Sequence, residues 1–454
     1  MRTLTLLVVS VLLSFSQLKG QTGAASAELS FQLLRSDEDY SFLENDPARR
    51  SFWKKLKWIP LSEKNFLSLG GESRSQFQVL KNENWEHRSD DVVLFQRFML
   101  HTDWHFGKRF RLFGQLKSGF VWGRNAPVSP LDEDKLDLHQ LFVGLRLGRH
   151  SKVEIGRREL RYGSRRLIDV REGTNVRQSF DGARWIWQKR GKRLDLFFHA
   201  YNPSRTGVFD NKFDTGQLLW GGYLVWNTNR TNFDFYYLGV DNKNSRFEEG
   251  SEQETRHSFG MRHWGKKGGF RYNNEAVFQT GTFGEGNIAA WTLSTELYHA
   301  LPGKTKPVLG LKTELISGDC HKGDGDLSTF NPLYPRGGYF GLLALIGPAN
   351  LLDVHPSVAF SFGEKWSLNL DWDFFWRHQL DDGIYFPSGR LNVESNGSRK
   401  RFVGHQPGAQ LTFAANLFFE LEASFFYFQP GSFLKEVTEG KAYSQAGVSA
   451  NFKF

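Results

Sequence analysis

Between Gly156 and Trp187 the chain reads GRRELRYGSRRLIDVREGTNVRQSFDGARWIW, with arginine at Arg161, Arg165, Arg166, Arg171 and Arg177, and with Arg157, Arg158 and Arg184 on the flanks. Only Glu159, Asp169, Glu172 and Asp181 oppose them. Arginine carries a permanent charge on a rigid planar fork that pairs bidentately with carboxylates, which lysine does not. A surplus of such forks in one polar stretch suits a site that attracts and orients a carboxylate-bearing solute. The alternative is a loop held by its own Arg–Asp and Arg–Glu pairs.

Other chemistry is sparse. Ser395-Asn396-Gly397 resembles part of the His-x-Ser-Asn-Gly motif of barrel phospholipases, but Val393 stands where the base belongs, leaving the serine unactivated. No Gly-x-Ser-x-Gly elbow and no phosphate-binding loop occur. Asp319, Asp324 and Asp326 share a glycine-rich stretch with Cys320 and His321, without the spacing or terminal glutamate of an EF-hand; a solvated turn is the reading. The 13 histidines never pair at metal-ligand spacing. No catalytic residue, metal or cofactor is therefore assigned.

The elements that must position the arginines are strands. Aromatic residues make up 15% of a chain whose mean hydropathy is only −0.47, with 42 Phe and 14 Trp. A transmembrane β-barrel needs that mixture, because alternate residues face lipid and rings collect at the membrane interfaces. In Asp91–Phe106, Leu94, Phe98, Leu100, Trp104 and Phe106 share one face, opposite Arg97, His101, Asp103 and His105. Trp366–Arg377 repeats this, with Leu368, Leu370, Trp372, Phe374 and Trp376 opposite Asn369, Asp371, Asp373 and Arg377. The net charge of +9 is scattered through such runs and no nucleic-acid motif appears, so nucleic acid is set aside.

Connections alternate in length. Tight ones are read at Gly107-Lys108, Arg149-His150, Arg190-Gly191, Thr228-Asn229, Lys266-Lys267, Glu364 and Asn416. Long ones are read near 82–90, 124–134, 161–180, 202–215, 242–253, 318–350, 378–400 and 429–440. Tight periplasmic turns and long extracellular loops are the arrangement of bacterial outer-membrane barrels, and the runs give about eighteen antiparallel strands. The stretches 338–363 and 401–415 are ambiguous, because Pro356 and Pro407 interrupt them.

Three segments follow. Residues 1–20, with Arg2 before an apolar run from Leu4 to Phe15 too short to span a bilayer as a helix, read as a signal peptide. Residues 21–64 read as an N-terminal periplasmic segment, of which 28–60 contribute no strand, and residues 65–454 as the barrel. The single cysteine, Cys320, excludes an intramolecular disulfide. Reading back from Phe454, the residues Phe452, Ala450, Val448 and Ala446 share its face, and such a strand resembles the signal taken by the barrel-assembly machinery.

Several blocks resemble the bacterial alginate export family of outer-membrane barrels. They are LLRSDEDYSFL (Leu33 to Leu43), LKWIPL (Leu56 to Leu61), LSLGGESR (Leu67 to Arg74), the central block Gly156 to Trp185, and SGDCHKGDGDLSTFNPLYP (Ser317 to Pro335). The resemblance implies an eighteen-stranded monomeric barrel in the outer membrane, surrounded by its lipids. Inward-folded loops would narrow its lumen, and arginines would pass an anionic polysaccharide or oligosaccharide. On this chain the matching positions are Arg74, Arg157, Arg161, Arg165, Arg166, Arg184 and Arg336, to which the central loop adds Arg171. The lumen face also carries His101, Asp103, Glu275, Glu296, Glu314, Asp371 and Asp373, so alginate itself is not specified. The expected function is passive passage of an anionic polysaccharide or anionic sugars. A general small-solute porin, or an outer-membrane enzyme or receptor, remains the alternative.

Overall fold

The computed structural model describes residues 29–46, 51–228, 231–341 and 343–454. The signal-peptide reading of residues 1–20 falls outside them. From Asn65 to Lys453 the chain forms 18 antiparallel strands, each bonded to its sequence neighbours, and the sheet closes where Asn65–Lys81 pairs with Tyr443–Lys453, from Glu72↔Lys453 to Lys81↔Ser444. Closure satisfies every edge, which an open sheet in lipid would leave unpaired.

Alternation sets the two faces as expected. Phe98, Leu100, Phe198, Phe259, Phe278 and Val448 project outward, while Arg97, His101, Glu275, Glu314 and Asp373 are buried inside. Phe106, Phe110, Trp226, Phe270, Phe362 and Trp366 are exposed beside the short turns, where an aromatic girdle meets the membrane interface.

Some boundaries shift. Strands Asn232–Arg246 and Ser251–Lys267 extend beyond their expected ends, leaving only residues 247–250 between them. The next turn is Gly268-Gly269, not Lys266-Lys267, because φ values of 57° and 81° suit glycine in a two-residue hairpin. Both proline-bearing stretches are barrel strands, Leu351–Phe362 and Phe402–Ala414. Pairing lapses around each ring: no pairs link Val354↔Phe374 to Ser357↔Asp371, or His405↔Gln429 to Gly408↔Phe426. Proline lacks the ladder N–H, and the sheet absorbs it as a local irregularity.

Residues 29–62 sit at the short-turn end. A short helix, Phe52–Lys57, leads into Ile59–Ser62, a strand that pairs with Leu67, Phe66 and Asn65. This corrects the expectation that the segment contributes no strand. Leu29, Tyr40 and Leu43 form a small apolar cluster with Trp53, Trp58 and Phe418. Trp53 also lies 5.9 Å from the Phe452 ring and 5.8 Å from that of Phe454. The Arg35 guanidinium donates to the carbonyls of Gly71 (3.1 Å) and Phe454 (2.8 Å), across the seam where the barrel closes. A Cβ on Gly71 would stand 2.7 Å from the Phe454 ring, so only glycine allows the last residue to seat there.

Candidate functional site: the lumen and its two inward loops

Two long connections turn into the barrel. Residues 159–178 join Ser151–Arg158 to Ser179–Lys189, and residues 317–350 join Val308–Ile316 to Leu351–Phe362. Both carry apolar side chains among their polar ones. Leu160, Leu167, Ile168 and Val170 from the first, and Phe330, Leu333, Tyr334 and Phe340 from the second, are buried. The loops pair backbone to backbone. Asp169 N–H donates to the Tyr334 carbonyl (2.9 Å), Tyr334 N–H to that of Leu167 (2.9 Å), and Arg336 N–H to that of Arg165 (3.3 Å). Burying these groups without such partners would cost more than the apolar contacts return.

Charged side chains tether the first loop to opposite walls. The Arg74 guanidinium donates to the carbonyls of Glu172 (2.8 Å) and Thr174 (2.7 Å). Arg97 binds Glu72 through Nε (3.1 Å) and also pairs with the Glu172 carboxylate. On the far side Arg166 meets Glu296 (3.0 Å), Glu314 (3.1 Å) and Glu275 (3.7 Å), each on a different strand. Arg177 pairs with Glu159 (2.8 Å) and donates to the Leu33 carbonyl (3.0 Å), so the N-terminal segment touches the loop from below. Three acidic residues of the lumen face, Glu275, Glu296 and Glu314, are thus what a loop arginine grips.

The eight arginines singled out from sequence divide accordingly. Arg74 and Arg166 are buried tethers. Arg157 forms a bidentate pair with Asp181 (2.7 and 3.0 Å), and Arg184 binds Glu154 (2.7 Å) with Asp195 at 3.5 Å. Arg161 lies 3.7 Å from Asp169. Arg165, Arg171 and Arg336 have no carboxylate oxygen within 4.0 Å among the described residues. Arg336 donates to the Tyr339 carbonyl (2.8 Å) and stacks over that ring.

Arg165 and Arg336 face one cavity of about 660 Å³ beneath the paired loops. Its walls add Arg262, Lys266, Arg271 and Lys312, with Glu296 as the acidic member, and it reaches Thr228 and Thr231 at a short turn. Of these cations Arg262 is paired with Asp234 (2.9 Å), and Arg271 rests on the Tyr298 ring. Arg165, Lys266, Arg271, Lys312 and Arg336 lack a carboxylate within 4.0 Å among the described residues. Burial, and then the neighbouring Arg336, push the Arg165 guanidinium below its ordinary value. Concentrated unpaired positive charge between low-dielectric walls favours anions.

Lys266, Arg271 and Lys312 were not legible as site residues, since they lie on three different strands, with Arg271 and Lys312 the single cations of theirs. Parity is the signal that carries them: residues 254, 256, 258, 262 and 266 face inward together, as do 312, 314 and 316.

The sequence matches the model of a family described as Alginate export over residues 65–448. Among solved structures, Pseudomonas aeruginosa OccK8 (OprE) aligns with a TM-score of 0.58 at 12% identity, covering 86% of this chain and 98% of that one. Pseudomonas aeruginosa OpdK with vanillate aligns with the same TM-score at 10% identity and the same two coverages. So does a BenF-like porin from Pseudomonas fluorescens Pf-5, again at 10% identity. At such identities these likenesses speak to the fold alone. No curated protein matches the sequence.

Proposed function

The chain belongs to the alginate export family and is an outer-membrane channel with a porin-like barrel, and from that premise we propose that it passes anionic polysaccharide or anionic sugars by electrostatic selection at the short-turn, periplasmic end of its lumen. The observation that carries this reading is the cavity under the paired loops, where Arg165, Lys266, Arg271, Lys312 and Arg336 stand without carboxylate partners among the described residues. A carboxylate entering there meets several forks and ammonium groups whose field is focused by the surrounding protein. Glu296, held by Arg166 at the cavity edge, supplies repulsion that keeps the solute from binding too tightly to leave.

In this reading the other arginines have a different role. Arg74, Arg157, Arg166 and Arg184 hold the constriction in place, and Arg161 and Arg171 lie along the loop that forms it. The N-terminal segment lies at the periplasmic mouth and braces the loop through Arg177 and the Leu33 carbonyl. The channel works as a single barrel in the membrane lipids, delivered there through its Phe454 strand.

A second reading, a porin for small carboxylates, draws support from the likeness to OpdK determined with vanillate. Single-channel reversal potentials in a salt gradient test the shared claim. Wild type should prefer anions, and Arg165→Glu with Arg336→Glu should lose or reverse that preference. Block by a soluble polyuronate, compared with block by a small aromatic carboxylate, separates the two readings.

A further inference from the structure

We propose that Asp353, His355 and Asp373 form a binding site for one zinc-class divalent cation on the lumen wall, on the strands beside the basic cavity. The strand Leu351–Phe362 places Asp353 and His355 two residues apart on its inner face, and Trp366–Arg377 brings Asp373 beside them. They meet where Pro356 interrupts the ladder between Val354↔Phe374 and Ser357↔Asp371. One ligand atom from each of the three lies within 4.8 Å of the others.

The cluster is short of positive charge. Asp353 is 1% exposed and Asp373 is fully buried. Among the described residues neither oxygen of Asp353 has a hydrogen-bond partner. No lysine or arginine nitrogen approaches Asp353 or Asp373 within 4.0 Å among the described residues; Lys312, opposite His355 on the neighbouring strand, acts on them only from beyond that distance, and Arg166 is taken by Glu275, Glu296 and Glu314. Two buried carboxylates facing each other without a counter-charge are costly, because desolvation and like-charge repulsion add.

Histidine geometry points to the kind of ion. Nε2 of His355 lies 3.2 Å from Asp371, while Nδ1 faces the Asp373 carboxylate. A proton held on Nε2 by Asp371 leaves the Nδ1 lone pair directed at the two other carboxylates. That is the carboxylate–histidine–metal relay in which an outer acid fixes the tautomer of a ligating imidazole. One nitrogen and two carboxylate ligands suit zinc or a similar first-row ion, with a remaining position for water. Calcium and magnesium ask for six or more oxygens. The second inward loop roofs the site: the Gln406 side chain donates to the Phe340 carbonyl (2.9 Å), and Phe340 packs on Phe375 at 5.3 Å. A bound ion would therefore stiffen the wall under that loop.

The test uses the mature full chain in detergent, stripped with chelator and then titrated with zinc by calorimetry, with metal content read by mass spectrometry. Wild type should take up one ion per chain. Asp353→Asn and His355→Ala should abolish this uptake, and Asp371→Asn should weaken it roughly 10- to 100-fold. Cys320→Ser with His321→Ala, which removes the exposed thiol–imidazole pair of the outer loop, should leave it intact. Heat-modifiable gel mobility checks that each variant is a folded barrel, and if a variant fails that check the wild-type stoichiometry decides. Folded wild type that takes up no zinc, or uptake indifferent to both Asp353→Asn and His355→Ala, would overturn the proposal.

Discussion

Replacing Arg166 with methionine should open the constriction without unfolding the barrel. Its guanidinium bridges Glu296 at 3.0 Å and Glu314 at 3.1 Å, with Glu275 at 3.7 Å, and its side chain is 8% exposed. Methionine keeps the apolar stem and leaves three carboxylates without their cation. Removing one partner of a buried pair costs about 3–5 kcal/mol, which shifts the docked-to-undocked balance of the loop by roughly two to nearly four orders of magnitude. The barrel wall itself keeps its ladder, so the cost falls on residues 159–178 and on the loop paired with them. Planar-bilayer recordings of Arg166→Met should show larger single-channel conductance and more open-channel noise than wild type. Adding Glu296→Gln and Glu314→Gln should recover part of the wild-type behaviour, since it removes charges that the variant left unpaired. Wild-type conductance and noise in a folded Arg166→Met channel would show that the three-carboxylate grip does not hold the loop, and the reasoning would fail.

Docking of the N-terminal segment should depend on pH through Lys57. Burial, and then Arg35, push its ammonium down to about 7 against the pull of Glu38 and Asp103, and among the described residues its Nζ has no hydrogen-bond partner beside the Phe31 and Tyr40 rings and His101. Because the docked state binds fewer protons than the undocked one between about 7 and 10.5, docking should strengthen as pH rises from 7 and be weakest below it. Hydrogen exchange of residues 29–57 at pH 6 and pH 9 checks this; Lys57→Met should flatten the difference, and equal exchange at both values in wild type would refute it. At the seam, Gly71→Val should impair barrel closure about as much as deleting Phe454, read as loss of heat-modifiable mobility, because a Cβ there meets the Phe454 ring at 2.7 Å. Normal closure in both variants would remove the argument from the C-terminal strand.

Strand alternation and turn lengths were legible in the chain because every barrel strand has one face in lipid, and that constraint writes itself into each run separately. The two prolines obscured two strands, since Pro356 and Pro407 look like breaks until neighbouring strands are seen to carry the sheet past them. The inward loop was visible as an arginine-rich stretch, yet the partners of its arginines were not. Arg166 finds glutamates 109, 130 and 148 positions away, set by barrel closure and not by any local spacing. The same limit applies to the candidate metal cluster. Asp353 and His355 are adjacent on one face, but Asp373 joins them only through the pairing of two strands. Short strand pairing at Ile59–Ser62 was hidden for another reason: four residues with a proline give no alternation to read.

The most direct test of anion selection is current block by a soluble polyuronate added at the periplasmic face. Wild type should be blocked in a concentration-dependent way, and a neutral polysaccharide of similar length should block little. Arg165→Glu with Arg336→Glu should abolish polyuronate block, because both residues face the basic cavity and lack carboxylate partners among the described residues. Arg399→Glu, in an exposed pair with Asp381 at the other end of the molecule, should leave block unchanged, as bulk salt screens charges there within about 10 Å. Loss of block only in the Arg165 and Arg336 variant is the predicted result. Equal block in all three channels, or equal loss in both variants, would contradict the account.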